Sequence, residues 1–196
     1  MVKNYFKKIY HKYKKQKVIE PQKGDFGETY LFDGTKVLKS DSIIQFVGLV
    51  EELNSIFGIV ISNIKKTHSQ ELQPDLEVLL DIQKDLYILQ NMAMGDHLAF
   101  NMIEEIKNLE ETIKDYENLI DDLTKEILPG GCVVSSYLYL AFSVSRKIER
   151  EITSYNSKSI LKILPYFNRL SDLLFLIARF INTQLNTTEY TIKKGR

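Results

Sequence analysis

The chain has 196 residues, of which 44% are hydrophobic and 27% charged, a make-up that fits one globular domain and excludes a disordered or collagen-like chain. Its 26 basic and 26 acidic side chains cancel, yet seven lysines against Glu20 leave residues 1–20 at +6 and the remainder at −6. A single cysteine excludes an intrachain disulfide or a cysteine-built zinc site and points to a reducing, cytoplasmic setting.

In chain order, residues 1–20 form a basic extension. Tyr5, Ile9 and Tyr13 would share one helical face, with Phe6 and Tyr10 beside them. The simplest role is a solvated arm resting on an acidic body; RNA or an anionic membrane is the competing partner. It has no apolar core of the secretory-signal type. Residues 21–40 hold three of the nine glycines, lack helical periodicity and read as an ordered functional loop.

Asp41 then caps a first long helix with Ile44, Val47, Val50, Leu53, Phe57 and Val60 on one stripe. A second helix starts near Pro74-Asp75, buries Leu76, Leu79, Leu80, Leu86, Ile88 and Leu89, and ends near Gly95. The third, about 101–126, carries nine acidic residues against three lysines, with an apolar stripe from Ile103 through Ile106, Leu109, Ile113, Tyr116 and Ile120 to Leu123. Its charges read as a solvated face, and no metal is assigned there.

The stretch between Glu126 and Arg146 has nineteen residues without a charge. It opens on Leu128-Pro129-Gly130-Gly131, so the helix that follows is too short for a bilayer and reads as a central bundle helix from Cys132 to about Tyr155. A fifth helix runs from about Ser159 to Leu185, with Pro165 near its first turn or at a kink. Short connections and no strand alternation give an all-α bundle of four long antiparallel helices plus one, with an ordered N-terminal loop. The expected division is a basic extension over 1–20, the bundle over 21–187 and a tail over 188–196.

Several chemistries are absent. There is no Glu-x-x-His for a di-iron site, and the histidines (11, 68 and 97) are scattered. Cys132 has no histidine nearby and reads as a structural thiol. Neither a Gly-Lys-Ser/Thr phosphate loop nor a Gly-x-Ser-x-Gly elbow occurs.

Three features remain. Gly24-Asp25-Phe26-Gly27-Glu28-Thr29 could turn backbone N–H groups toward an anion, with Thr29 donating to phosphate and Asp25 holding the loop or a metal-bound water. Arg146-Lys147-x-Glu149-Arg150 places cations where the uncharged helix leaves the core; a salt-bridged helix face is the plain alternative. Asn168-Arg169-Leu170-Ser171-Asp172 puts polar residues inside an apolar helix, with Arg169 and Asp172 spaced to pair with each other or with a neighbouring helix, and a buried ion pair there would be uncommon unless something requires it.

These segments, with Lys39-Ser40-Asp41, Glu51-Glu52-Leu53-Asn54-Ser55, Ile127-Leu128-Pro129-Gly130-Gly131, Phe175 and Ala178-Arg179-Phe180, resemble the PduO-type cob(I)alamin adenosyltransferases over residues 21–182. The resemblance implies a homotrimer of five-helix bundles with ATP between adjacent subunits. It implies transfer of the 5′-deoxyadenosyl group of ATP to cob(I)alamin, with release of triphosphate, usually with magnesium. Gly24, Asp25, Gly27, Thr29 and Lys39 match the phosphate-binding segment, Arg146 the arginine that meets the triphosphate, Glu149 the carboxylate near the nucleotide and Asn168 a polar contact to it. Arg146 and Glu149 are thereby the implied catalytic residues, and Lys147 stands where a second arginine is common. A cobalamin reductase or a B12-dependent enzyme is the implied partner.

The chain departs from that pattern at five further places. Pro21 replaces a phosphate-binding threonine. Phe142 stands at an arginine that bridges to an aspartate of the next subunit, and Glu51 stands at that aspartate. Tyr139 replaces a histidine, and Glu126 an aromatic residue beside the corrin. A trimeric ATP-binding bundle without transfer activity is the second function these changes suggest. A nucleic-acid binder is a third, disfavoured by the −6 body.

Overall fold

In the computed structural model, residues 23–192 are described apart from positions 97, 124, 156 and 157. The basic extension 1–20, Pro21, His97 and the last four residues lie outside the described residues.

Five long helices form the body: α1 Ser42–Thr67, α2 Gln73–Ala93, α3 Met102–Leu119, α4 Val133–Ser154 and α5 Leu164–Gln184. They pack in the spatial order α2, α1, α4, α5, α3. Tyr116 of α3 donates to Asp75 of α2 at 2.6 Å, closing the ring of helices into a bundle. Most neighbours are antiparallel, but α3 and α5 run the same way, since Phe100 just before α3 meets Tyr166 and Tyr116 meets Phe180. The expected all-α bundle is what the chain adopts.

The core follows the 3.6-residue spacing of the apolar positions. Phe46, Val50, Leu53, Phe57 and Val60 of α1 are buried, as are Leu79, Leu86 and Leu89 of α2. On α5, Tyr166, Phe167, Leu170, Leu173, Leu174 and Ile177 face the same interior. Among the described residues α1 is the one helix long and apolar enough to cross a membrane. Here it buries eight side chains against its neighbours. The uncharged stretch supplies α4, the central helix between α1 and α5.

Four expectations are corrected. The chain does contain strands, in two small antiparallel pairs: β1 Glu28–Tyr30 with β2 Lys36–Leu38, and β3 Glu126–Ile127 with β4 Thr191–Ile192. They are too short for hydropathy alternation to reveal. Helix α3 stops at Leu119, because Ile120 turns extended (φ −126°, ψ 151°), so Leu123 lies beyond it. Ile103 at the other end of that stripe is 83% exposed, and Leu109 and Tyr116 alone of the helix are buried. The fifth helix is broken: one turn, Lys158–Leu161, precedes α5, which starts afresh with Pro165 in its first turn, where a missing N–H costs nothing. Finally, Arg169 and Asp172 do pair, at 3.4 Å, but at the surface and not in the interior.

One end of the bundle gathers the parts that matter for function. Phe46 near the start of α1 touches Tyr155 and Phe167, with ring centroids 6.4 and 6.1 Å apart. The end of α4 and the start of α5 are therefore neighbours there. The β1–β2 hairpin is tied to the same end through Phe32, whose N–H donates to the Met94 carbonyl at 2.8 Å.

Candidate active site

The phosphate-loop residues are built on a turn and the hairpin. Lys23–Phe26 is a single 3₁₀ turn, and Gly27 follows at φ +82°, a left-handed conformation that glycine adopts without steric cost. The Lys39 N–H donates to the Gly27 carbonyl at 2.8 Å, folding the end of β2 onto the turn. The Lys39 ammonium lies so close to Gly24 that a Cβ there would sit 3.3 Å from it. Thr29 is held in the β1–β2 ladder opposite Val37, and Glu28 pairs with Lys36 at 2.5 Å. Gly24, Gly27, Thr29 and Lys39 thus form one group, with Asp25 exposed in the turn. Asp41 ends the segment by capping α1, its carboxylate accepting from Ile43 N–H at 3.0 Å.

Arg146, Lys147 and Glu149 sit on the C-terminal half of α4, and Asn168 on the first turns of α5. Asn168 donates to the half-buried Glu149 carboxylate at 2.8 Å, and Arg169 donates to the other side of the same amide. Lys147 points toward α1, 3.8 Å from Glu52, in a pair half exposed on both sides and so worth little. Arg146 takes the opposite direction. Its guanidinium carbon lies 5.5 Å above the Phe142 ring, at the edge of a cavity of about 680 Å³ between α3, α4 and α5. Four apolar side chains, Phe142 and Phe175 among them, line that cavity alongside charges of both signs, with Lys114 and Arg169 as further cations.

The two groups have separate supports. The 3₁₀ turn packs on β1 and β1 on β2, whereas α4 packs on α5, α1 and the single turn. Phe26 of the turn and Tyr30, Phe32 and Leu38 of the hairpin are exposed. No group of three or more histidine, cysteine, aspartate or glutamate side chains that could hold a metal occurs among the described residues.

Sequence reasoning missed the corner that precedes α4 and the contacts that hold it. Gly131 has φ +109°, and a Cβ on it would fall on the Asn182 amide. That amide accepts from Cys132 N–H and donates to the Gly130 carbonyl, both at 3.0 Å. Cys132 is the N-cap of α4, its sulfur accepting from Ser135 N–H at 3.3 Å, so its role is structural. Glu189 accepts from Tyr139 at 3.2 Å and from Asn182 at 3.3 Å, and pairs with Arg179 at 3.5 Å. Burial first, then the Glu189 charge, pushes the Tyr139 hydroxyl well above the ordinary tyrosine range, so it stays a donor. Glu126 stands in β3, exposed, with Leu128 N–H donating to the Tyr190 carbonyl at 2.8 Å. The partners that join this corner to α5 and the C-terminal segment, Cys132 with Asn182 and Tyr139 with Glu189 among them, lie 50 residues apart, and no local pattern signals them. The Phe142–Arg146 contact, four residues apart on one helix, was open to inspection.

Known proteins share this fold. The profile of the cobalamin adenosyltransferase family matches residues 19–181. A cobalamin adenosyltransferase of Cupriavidus metallidurans is 32% identical over 167 residues, covering 84% of this chain and 88% of its own length. A corrinoid adenosyltransferase of Citrobacter freundii is 31% identical over 169 residues, covering 82% of this chain and 92% of its own. Among solved structures, a variant PduO-type ATP:corrinoid adenosyltransferase from Lactobacillus reuteri, complexed with cobalamin and ATP, superposes with a TM-score of 0.78. It is 28% identical and covers 91% of this chain and 98% of its own.

Proposed function

This chain belongs to the cobalamin adenosyltransferase family, of the PduO type, and from that premise we propose that it transfers the 5′-deoxyadenosyl group of ATP to cob(I)alamin. The observation that carries most weight is Arg146. It is a cation at the rim of the cavity between α3, α4 and α5, one turn from the Glu149–Asn168 pair.

The chemistry asks little of the protein in covalent terms. The cobalt(I) lone pair forms the Co–C5′ bond while the C5′–O bond breaks, and the leaving electron pair goes to triphosphate. No side-chain nucleophile and no proton transfer are required. The protein's work is to align C5′ with cobalt and to stabilise the departing polyanion. Gly24, Gly27 and Thr29 would offer backbone and hydroxyl donors to the phosphates, with Lys39 as a point charge beside them. Arg146 would take triphosphate oxygens from the opposite side, and Lys147 would add charge at longer range. Glu149, oriented by Asn168, would accept from the nucleotide.

The donors present suit magnesium that arrives with ATP and keeps several waters, not one held in an all-protein cage. Asp25 with phosphate oxygens would hold it, and the ion would offset triphosphate charge. The separate supports of the two groups favour a homotrimer in which the hairpin of one subunit meets α4 of the next. The exposed apolar residues of the hairpin are then covered by the neighbour. We assign the bundle to residues 21–187, place the enzyme in the cytoplasm and name a cobalamin reductase or B12-dependent enzyme as partner.

An anaerobic assay with ATP and chemically reduced cob(I)alamin tests the proposal. Loss of the cob(I) absorbance with formation of adenosylcobalamin is expected. Tight ATP binding without turnover at any corrin concentration overturns it and leaves a nucleotide-binding bundle.

A further inference from the structure

Arg146 is held in an uncommon way for a cation that must meet a polyanion. Among the described residues no carboxylate lies within ion-pair distance of it, although Glu110, Glu117 and Asp172 line the same cavity. Asp172 is taken by Arg169 at 3.4 Å. What lies beneath the guanidinium is the Phe142 ring, 5.5 Å from its central carbon and inside the range of a cation–π contact. The spacing produces this directly. A long side chain on a helix leans toward the N-terminus, so Arg146 covers the residue one turn before it.

The ring is itself fixed. Phe142 meets Phe175 with centroids 5.9 Å apart, and Phe175 meets Tyr139 at 5.9 Å on its other side. Tyr139 is buried and its hydroxyl ends on Glu189. The stack therefore runs from a half-buried ion pair, Arg179 with Glu189, through three aromatic rings to the guanidinium.

A carboxylate partner would orient Arg146 too, but it would occupy N–H donors and cancel the charge the ligand needs. A ring face does neither. All five guanidinium N–H groups stay available for oxygen anions, while the contact restricts a side chain that otherwise loses much rotamer entropy on ordering.

We propose that Phe142 is a positioning residue for Arg146, presenting an oriented, un-neutralised guanidinium to the triphosphate of ATP. The inference rests on the assignment of Arg146 made above. Phe142 touches no reacting atom and acts only through the arginine.

The test is a double-mutant cycle on the full chain, with ATP affinity read by calorimetry and steady-state transfer read separately. Phe142→Leu keeps an apolar side chain of similar bulk and removes the ring face. It is expected to raise Kd and KM for ATP by about two- to thirtyfold, the span such contacts cover from exposed to desolvated settings. KM for cob(I)alamin should stay within twofold, and Phe142→Tyr, which keeps the ring, should restore ATP affinity. In an Arg146→Met background the Phe142→Leu change should have no further effect on Kd. An equal loss in both backgrounds, or a failure of Phe142→Tyr to rescue, overturns the positioning role while leaving Arg146 as a ligand contact. Should Arg146→Met itself leave ATP affinity unchanged, the assignment of Arg146 falls and the role of Phe142 with it.

Discussion

A few side chains decide what this bundle can do, and they differ in how they are held. Arg146 rests on a ring, Glu149 takes a hydrogen bond, and Lys39 is folded back over Gly24. Replacing Arg146 by Ala should weaken ATP binding by about ten- to a hundredfold, the worth of a charge-assisted hydrogen bond, while circular dichroism stays unchanged. Asp85 is a second informative residue. It accepts from the wholly buried Tyr166 at 2.8 Å, and burial raises its pKa from 3.8 to about 6. The native state then binds the proton more tightly than the unfolded chain does. Stability from this group is complete below about pH 4 and is lost as pH rises through 6. Asp85→Asn keeps an acceptor for Tyr166 and never ionises. Thermal unfolding measured from pH 4 to 8 should show a shallower decline in the variant and a higher midpoint than the wild type at pH 7.5.

At the scale of elements, the corner before α4 is the tightest join. Asn182 on α5 bonds to both sides of the Gly130-Gly131-Cys132 turn, and Gly131 admits no side chain. Gly131→Ala should cost about 1–3 kcal/mol in chemical unfolding, from backbone strain and from displacing the amide. The helices themselves were largely legible from spacing. Asp41, Pro74 and Cys132 mark three starts, and four of the six positions expected on α1 are buried. What stayed hidden has a common physical cause. Strand β3 pairs with β4 more than sixty residues away, and just past the end of α3 the Asp121 carbonyl accepts from Arg179, so partners distant in the chain outweigh local propensity. The candidate site residues stand together in short sequence motifs, which is what made them candidates. Phe142, one turn from Arg146, was open to the same reading, whereas the anchoring of Tyr139 was not, since it finds Glu189 50 residues away.

For the molecule as a whole, the two groups of site residues make a prediction about assembly. If each site draws its hairpin from one subunit and its α4 from the next, two inactive variants should complement each other. Mixing and reassembling Lys39→Ala chains with Arg146→Ala chains should restore activity to roughly a quarter of the sites, the share that pairs two intact halves at random. Activity that stays at the level of the separate variants would mean that each chain builds its own site. The wild-type midpoint of thermal unfolding should also rise with protein concentration, as it does when folded subunits stabilise one another.

The Asn182 amide has one more consequence, for the order in which the chain is made. During synthesis α4 emerges about 30 residues before α5 is complete, so its first turn must wait for a partner that the ribosome has not yet released. A nascent chain halted before position 182 would carry four of the long helices and an open corner, with Cys132 N–H and the Gly130 carbonyl left to water. The corner before α4 is therefore among the last parts of the protein to be completed, and it closes only once the C-terminal helix has arrived.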